Sequence, residues 1–592
     1  MIIIVVSAIV LVYILWLFYV QVIDKSYQVK SENNTMRNIT LFPPRGLIYD
    51  RDGLLLVSNE VAYDLMVVPR LVKPMDTLAF CNILNIDIQY FREQLHAARN
   101  YSRYKASIMA SQLSKEMAGY FQEKLYEFPG FYLQSRTIRL YDEKIAAHAI
   151  GYIGEVDRTD IAKDDYYRAG DYIGRSGIEA FYERELRGKK GKSVRLVDVH
   201  NRLKGSYQNG TFDEDPVPGQ SIYMTLDAEL QKFAEMLMQG KKGSITAIEP
   251  ATGEVLVMVS NPDYNPNLLV GYDRSKNYKM LAADSLRPLF NRAVSAKYPP
   301  GSTFKMATGL AALQENIIKP STCFMCNGQS TKPIRCTHNH KSPLNLYEAI
   351  EESCNPYFWS VYKAFLENAE GANTTERFLK WRDYMLAMGF GERFDNDILY
   401  QSKGNIPTNS YFDRYYGKGK WNALTIRSLS IGQGEVELTP LQMANYVATI
   451  ANRGYYVVPH LAREIAIDSI YVEKLKFETI NTGINPEYYE SVIEGMWRVY
   501  NGARGTMRYY SDKELNMCGK TGTAQNPHGK DHSLFVAFAP KDNPKIVVSV
   551  IVENAGFGAT WAGPIGTLIM EQYLKGNTRN TWWKEKVLTQ QP

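Results

Sequence analysis

From Ile2 to Ile23 the chain carries no charged side chain, and no other feature restricts its fold as much. As a helix, the run from Ile2 to Val20 is long enough to cross a hydrocarbon core of about 30 Å. The expectation is a single transmembrane helix over 1–23, with Trp16 and Tyr19 at the far interface and Lys25 beyond them. A cleaved signal would have a shorter apolar region and a small-residue cleavage site, and neither is evident. A buried core helix is the competing reading. No Lys or Arg precedes the run, so its orientation must be decided by the chemistry of the remaining chain.

The 592 residues are too many for one core, and roughly 150 residues per domain predicts about three to four units. The 68 basic and 63 acidic residues are too evenly balanced for a nucleic-acid groove, and no nucleic-acid partner is expected. Between Phe42 and Val57, Pro-Pro and Asp-Gly breakers flank short β-prone runs, which predicts strand, turn, strand. Residues 75–150 read as mainly helical, and Ser176 is a plausible cap for a packing helix reaching Leu186. Turn formers and acids from Asn209 to Gly219 mark a domain boundary. Beyond it, 221–226 reads as a strand, 228–238 as a helix and 243–259 as a hairpin about a Pro-Ala-Thr-Gly turn. Further strands are expected at 534–539 and 545–552. Strands at both ends of a helical middle predict one α+β domain closed by distant segments.

Ser-x-x-Lys occurs at Ser102, Ser302 and Ser360, so the spacing alone is weak. Only Ser302 follows a Pro-Pro-Gly break, in Lys297-Tyr-Pro-Pro-Gly-Ser-Thr-Phe-Lys305, where a helix is expected to begin. There its hydroxyl and backbone N–H would lie at the positive end of the helix dipole, with Lys305 one turn along on the same face. A lysine acts as a base near neutrality only if its pKa falls from about 10.4 toward 7, a shift worth roughly 4 to 5 kcal/mol. Burial and a second cation are therefore required. Lys520 in Lys520-Thr-Gly-Thr523 could supply that cation. A phosphate loop is excluded there, because the glycine it needs five residues before Gly519 is Glu514. Gly522 suits a strand that a substrate backbone approaches closely. Ser353-Cys-Asn355 lies between the two.

Four of the six cysteines fall between 323 and 354, together with His338 and His340. Thiolates with imidazole form the donor set of tetrahedral zinc, whereas outside a membrane the same cysteines could form one or two disulfides. Spacing does not separate these readings. Cys81 and Cys518 read as small buried hydrophobes, and His528 and His532 as solvated loop residues.

The ordered set Ser302-x-x-Lys305, Ser353-Cys-Asn355 and Lys520-Thr-Gly522 resembles the motifs of penicillin-binding proteins and β-lactamases. With the anchor, Pro44-Arg-Gly46, Asp50-Arg-Asp-Gly53, Gly177-Ile-Glu179, Gly432-Gln-Gly434 and Leu438-Thr-Pro-Leu-Gln442, the chain resembles the class B penicillin-binding proteins of elongation type over nearly its whole length. The resemblance implies a peptidoglycan D,D-transpeptidase at a bacterial cytoplasmic membrane, with its catalytic part on the outer side. The implied fold is α+β: anchor 1–23, elongated pedestal 24–219, transpeptidase domain 220–577 with an antiparallel sheet, helices on both faces and a helical subdomain, and tail 578–592. Ser302 is implied as nucleophile, Lys305 as base, Ser353 as proton relay and Asn355 as a donor-peptide contact. Lys520 and Thr521 are implied to hold the terminal carboxylate, Gly522 to line the strand, and the Ser302 and Thr523 N–H groups to form the oxyanion hole. Relatives with a zinc site imply Cys326, Cys336, His340 and Cys354 as ligands, with His338 and Cys323 as alternates. The departure from the better-known pattern lies in cysteines that replace carboxylates.

Implied partners are peptidoglycan stem peptides, β-lactams, membrane lipid, elongation-complex scaffold proteins and a multi-pass glycosyltransferase of the shape, elongation, division and sporulation group. Competing readings are a catalytically dispensable scaffold or β-lactam sensor, a β-lactamase and a bifunctional synthase. The anchor and long stalk oppose a β-lactamase, and the lack of a glycan-polymerising signature in 24–220 opposes a bifunctional synthase.

Overall fold

The computed structural model of the protein describes residues 2–19, 36–197, 203–367, 373–467, 471–579 and 581–592. An apolar helix, Ile2–Phe18, opens the chain, with its described side chains exposed. Among the described residues no helix is long and apolar enough to cross a membrane. Lys25 and the remainder of the expected span, from Val20 to Ile23, lie outside the described residues.

Two compact units divide the chain, and neither is one continuous stretch. The first comprises Met1–Leu47, Asn59–Leu140 and Arg184–Ser221. In it, Met36–Leu41 pairs antiparallel with Gly191–Val197, which pairs with Leu203–Ser206. Its interior is aromatic: Phe80 meets Phe91, Phe121, Phe128 and Phe131, with ring centroids 4.7 to 5.5 Å apart. The expected helical stretch 75–150 is instead mixed. Helices Thr77–Leu84, Ile88–Tyr101 and Lys115–Glu123 alternate with strands Ser107–Leu113 and Phe131–Tyr141. Capping by Asp76, Asp87 and Ser114, whose side chains accept from the first-turn N–H groups, starts the three helices.

The second unit comprises Ile48–Ser58, Tyr141–Glu183 and Ile222–Pro592. The helix expected from Ser176 to Leu186 is broken at Tyr182 into Gly177–Phe181 and Glu183–Leu186. At the centre of this unit is a five-stranded antiparallel sheet. We label its strands β1 (Gly243–Ile248), β2 (Val255–Asn261), β3 (Cys518–Ala524), β4 (His532–Ala539) and β5 (Ile546–Val552), in the order β2-β1-β5-β4-β3. The hairpin and the two late strands fall where the sequence predicts them. Residues of β5 are buried at every position, so the sheet is covered on both faces, as an unbroken apolar run requires. Helices Ala228–Met238, Pro440–Ala451 and Ala562–Lys575 pack against it. The segment 578–592, expected as a tail, contains the helix Thr581–Thr589.

Candidate active site

Tyr298 exchanges backbone hydrogen bonds with Leu438, and the Gly301 N–H donates to the Gly432 carbonyl at 2.8 Å. These bonds fix the incoming segment. Residues Gly301–Phe304 then form a 3-10 turn, which continues as helix α1, Lys305–Gln314. The start is therefore tighter than the α-helical one expected, but it places Ser302 at the N-terminal end as predicted. Beyond it α1 is buried from Lys305 to Leu313, so the helix is a core element and not a surface one.

Lys305 is wholly buried. Its Nζ donates to the Ser353 carbonyl at 2.7 Å and to Asn355 Oδ1 at 2.6 Å, and lies 3.3 Å from Ser353 Oγ. Burial lowers its pKa to about 8, while nearby Cys354 and Cys336 oppose the drop. Lys520 on β3 is equally buried, and its Nζ donates to the Thr521 carbonyl at 3.1 Å. Burial, and then the charge of Lys305, pushes Lys520 well below the lysine range. Desolvation is the largest cause for both lysines, and the charge of each disfavours the charge of the other.

The second motif joins two helices, α2 (Leu346–Glu351) and α3 (Asn355–Glu367). Ser353 adopts φ +57°, the left-handed conformation that ends a helix, and Cys354 N–H donates back to the Ala349 carbonyl at 3.0 Å. Pro356 then opens α3, where its missing N–H carries no penalty. Ser353 and Asn355 are thus offered to Lys305 by a chain reversal of two residues.

On β3, the register Lys520↔Val536, Thr521↔Phe535 and Thr523↔Ser533 ties the third motif into the sheet. Thr523 lies beside the serine turn, since a Cβ on Gly301 would sit 2.6 Å from its carbonyl oxygen, and Gln433 Nε2 donates to that oxygen at 2.9 Å. At Gly522 a Cβ would lie 2.9 Å from Thr303 Cγ2 and 3.1 Å from Leu534 Cβ, so the protein's own turn also leaves no room for a side chain there.

Cys326, Cys336, His340 and Cys354 place their ligand atoms within 4.8 Å of one another. His340 Nδ1 lies 2.8 Å from the Lys341 carbonyl, which leaves Nε2 facing sulfur, 3.2 Å from Cys336 and 3.7 Å from Cys326. Cys354 donates to Cys336, which holds the Cys336 thiol far below its ordinary range and raises that of Cys354. Three sulfurs and one imidazole at these separations fit a tetrahedral cation of zinc type. The alternates sit differently: Cys323 is exposed and donates to the Ser321 carbonyl, and His338 is exposed with Nδ1 beside Thr337 Oγ1. All six cysteines are free, Cys81 and Cys518 being buried as expected.

His532 is not a solvated loop residue. It opens β4, stacks edge-on against Tyr298 and receives the Asn554 N–H on Nδ1, and burial lowers its pKa. Ser102 and Ser360, the other Ser-x-x-Lys serines, end one helix and bond back within another. Nothing in the sequence singles out Arg504, which bonds Glu351 and Glu352 just before Ser353 from 153 and 152 residues away, or Thr506, which lies beside Thr521 of the third motif.

A serine at a helix start, a buried lysine one turn on, and a sheet strand beside them define an enzyme of the serine acyl-transfer class. The chain belongs to the penicillin-binding protein family: the penicillin binding protein transpeptidase domain matches residues 243–571, and the penicillin-binding protein dimerisation domain matches 40–224. It is 33% identical to the peptidoglycan D,D-transpeptidase MrdA of Haemophilus influenzae, over 94% of this chain and 88% of that protein. The structure of penicillin-binding protein 2 in complex with MreC from Helicobacter pylori is similar, at 25% identity and TM-score 0.74, covering 91% of this chain and 99% of the other. A chain in a peptidoglycan synthase complex, solved for the coordination of polymerization and crosslinking, matches at 26% identity and TM-score 0.70, covering 97% and 99%.

Proposed function

We propose that the protein is a peptidoglycan D,D-transpeptidase working through an acyl-enzyme on Ser302. The observation that carries this reading is a wholly buried Lys305, one turn behind Ser302 and bonded to both Ser353 and Asn355. Neutral Lys305 takes the Ser302 hydroxyl proton as Oγ bonds to the carbonyl carbon of the penultimate D-alanine. The amide C–N bond breaks, Ser353 passes a proton to the leaving amine, and D-alanine departs. An amine from a neighbouring stem peptide then attacks the ester, and Ser302 recovers its proton. Asn355 holds the donor peptide, Lys520 and Thr521 hold the terminal carboxylate, and the N–H groups of Ser302 and Thr523 receive the oxyanion. Losing one such oxyanion donor typically costs about 3 to 4 kcal/mol in the transition state. A β-lactam would trap the same serine.

Zinc held by Cys326, Cys336, His340 and Cys354 would serve structure, cross-linking the loop before α2 to Cys354 between the two second-motif side chains. Residues 1–23 would anchor the chain in the cytoplasmic membrane, with a pedestal over 24–219 and the transpeptidase domain over 220–577 on the outer side. The relatives solved with MreC and within a synthase complex support a scaffold partner and a membrane glycosyltransferase. Labelling with a fluorescent penicillin tests the core of this reading. Wild type should be labelled and Ser302→Ala should not. Equal labelling of the two removes Ser302 from the role, and an unlabelled wild type favours a scaffold.

A further inference from the structure

The loop Gly502–Thr506 joins a long helix, Pro486–Asn501, to the segment leading into β3, and it touches three parts of the site at once. Arg504 N–H donates to Glu351 Oε1 at 3.0 Å, and its Nε donates to Glu352 Oε2 at 3.0 Å. Both carboxylates are nearly buried, at 8% and 6% exposure, so each needs a partner, and both lie within two residues of Ser353. The Arg504 Nη2 reaches the carbonyl of Asn339, in the loop that carries His340, at 2.7 Å. Two residues on, Thr506 Oγ1 lies 3.1 Å from Thr521 Oγ1. Gly502 packs on the same carboxylate, since a Cβ there would be 2.3 Å from Glu351 Oε1. One short loop therefore bonds to the cysteine–histidine loop, to the turn before Ser353 and to the hydroxyl beside Lys520.

We propose that Thr506 is a positioning residue for the substrate carboxylate, orienting the Thr521 hydroxyl, and that Arg504 fixes the loop that holds Thr506 in place. The role is selective by its chemistry. A threonine hydroxyl rotates freely about its Cβ–Oγ axis, and with one partner fixed its remaining donor or acceptor is directed. Thr521 is 9% exposed, so few waters can compete for it. Thr506 acts on binding of the carboxylate and not on the attack of Ser302, which lies at another element. The inference rests on the transpeptidase reading, because it needs the carboxylate site at Lys520 and Thr521.

The experiment measures the binding constant and the limiting acylation rate separately for benzylpenicillin and for its methyl ester, which lacks the carboxylate. Thr506→Val should weaken binding of benzylpenicillin about fivefold, the scale of one net hydrogen bond, while the acylation rate and the ester are unchanged. Thr506→Ser, which keeps the hydroxyl, should restore wild-type binding. Arg504→Gln should weaken binding of benzylpenicillin likewise, and because its side chain also holds Glu352 beside Ser353 and the Asn339 carbonyl, the acylation rate and the unfolding midpoint should fall as well. Equal losses for acid and ester, a loss confined to the acylation rate, failure of Thr506→Ser to restore binding, or no change in Thr506→Val overturns the proposal and leaves the transpeptidase reading intact. A wild type that no penicillin labels overturns both.

Discussion

Lys305 stands between two walls built on opposite principles. The wall carrying Lys520 is the edge strand of a five-stranded sheet, with β3, β4 and β5 buried along nearly all their length and paired residue by residue. The wall carrying Ser353 and Asn355 is preceded by a loop from Cys323 to Asn345 with one 3-10 turn and many exposed residues. The first wall is held by apolar burial and a hydrogen-bond ladder. The second is held by a few polar bonds and by three thiols converging on one imidazole. One side of Lys305 thus rests on a core, and on the function proposed above the other would rest on a metal cross-link.

The largest effect that separates the two walls from what lies between them is a pH dependence. Burial sets Lys305 at about 8, and acylation needs its neutral form, so the rate should rise with pH and level off above that value. Going from pH 8 to pH 6 should lower it on the order of fiftyfold, as the ammonium form takes over. A flat profile in penicillin acylation would show that Lys305 is not the base. Next, Cys354→Ser should release the metal and destabilise the second wall by about 3 kcal/mol or more. Metal analysis should find one zinc in the wild type and none in the variant, with acylation falling as Ser353 and Asn355 lose their anchor. A wild type free of zinc, or a variant that keeps it, would falsify the cross-link.

The sheet wall should respond otherwise. Ile551→Ala, at a fully buried position on β5, should lower stability by about 2 to 5 kcal/mol. Acylation per folded molecule should hold at temperatures where the variant remains folded, because the ladder of β3 is untouched. Loss of activity without loss of stability would mean the sheet wall is as delicate as the other. The smallest effect is expected from His338→Ala: zinc content and the unfolding midpoint should match wild type, since the residue is exposed and His340 completes the cluster. Zinc loss in that variant would reassign the ligand.

How much of this was legible in the sequence depended on range. Pro299-Pro300-Gly301 announces a helix start because proline and glycine act locally, and the hairpin over 243–259 is readable for the same reason. The order of the motifs also shows through, and the cysteine set can be matched one by one. Hidden from the sequence is the effect of distant segments on one another. The closeness of Thr303 to Gly522 and the contact of Thr506 with Thr521 depend on how distant segments return to one strand. Residues 107–113 and 131–141 lie within the stretch 75–150 that reads as mainly helical, but pairing with the strand Leu55–Val67 makes them extended. His532 looked like a loop histidine because its burial depends on Tyr298, far back in the chain.

The sheet order has a consequence for how the chain is made. Thr246 on β1 pairs with Ser549 on β5, and nothing else in the sheet can fill the place between β1 and β4. At about 5 to 20 residues per second, β1 and β2 must wait on the order of tens of seconds for their neighbour to be synthesised. Throughout that interval the hairpin presents an open apolar edge of the kind that templates aggregation. A nascent chain of this protein is therefore exposed from the completion of the hairpin at Asn261 until β5 at Ile546–Val552 is made, and factors that shield strand edges through that interval should matter to its yield.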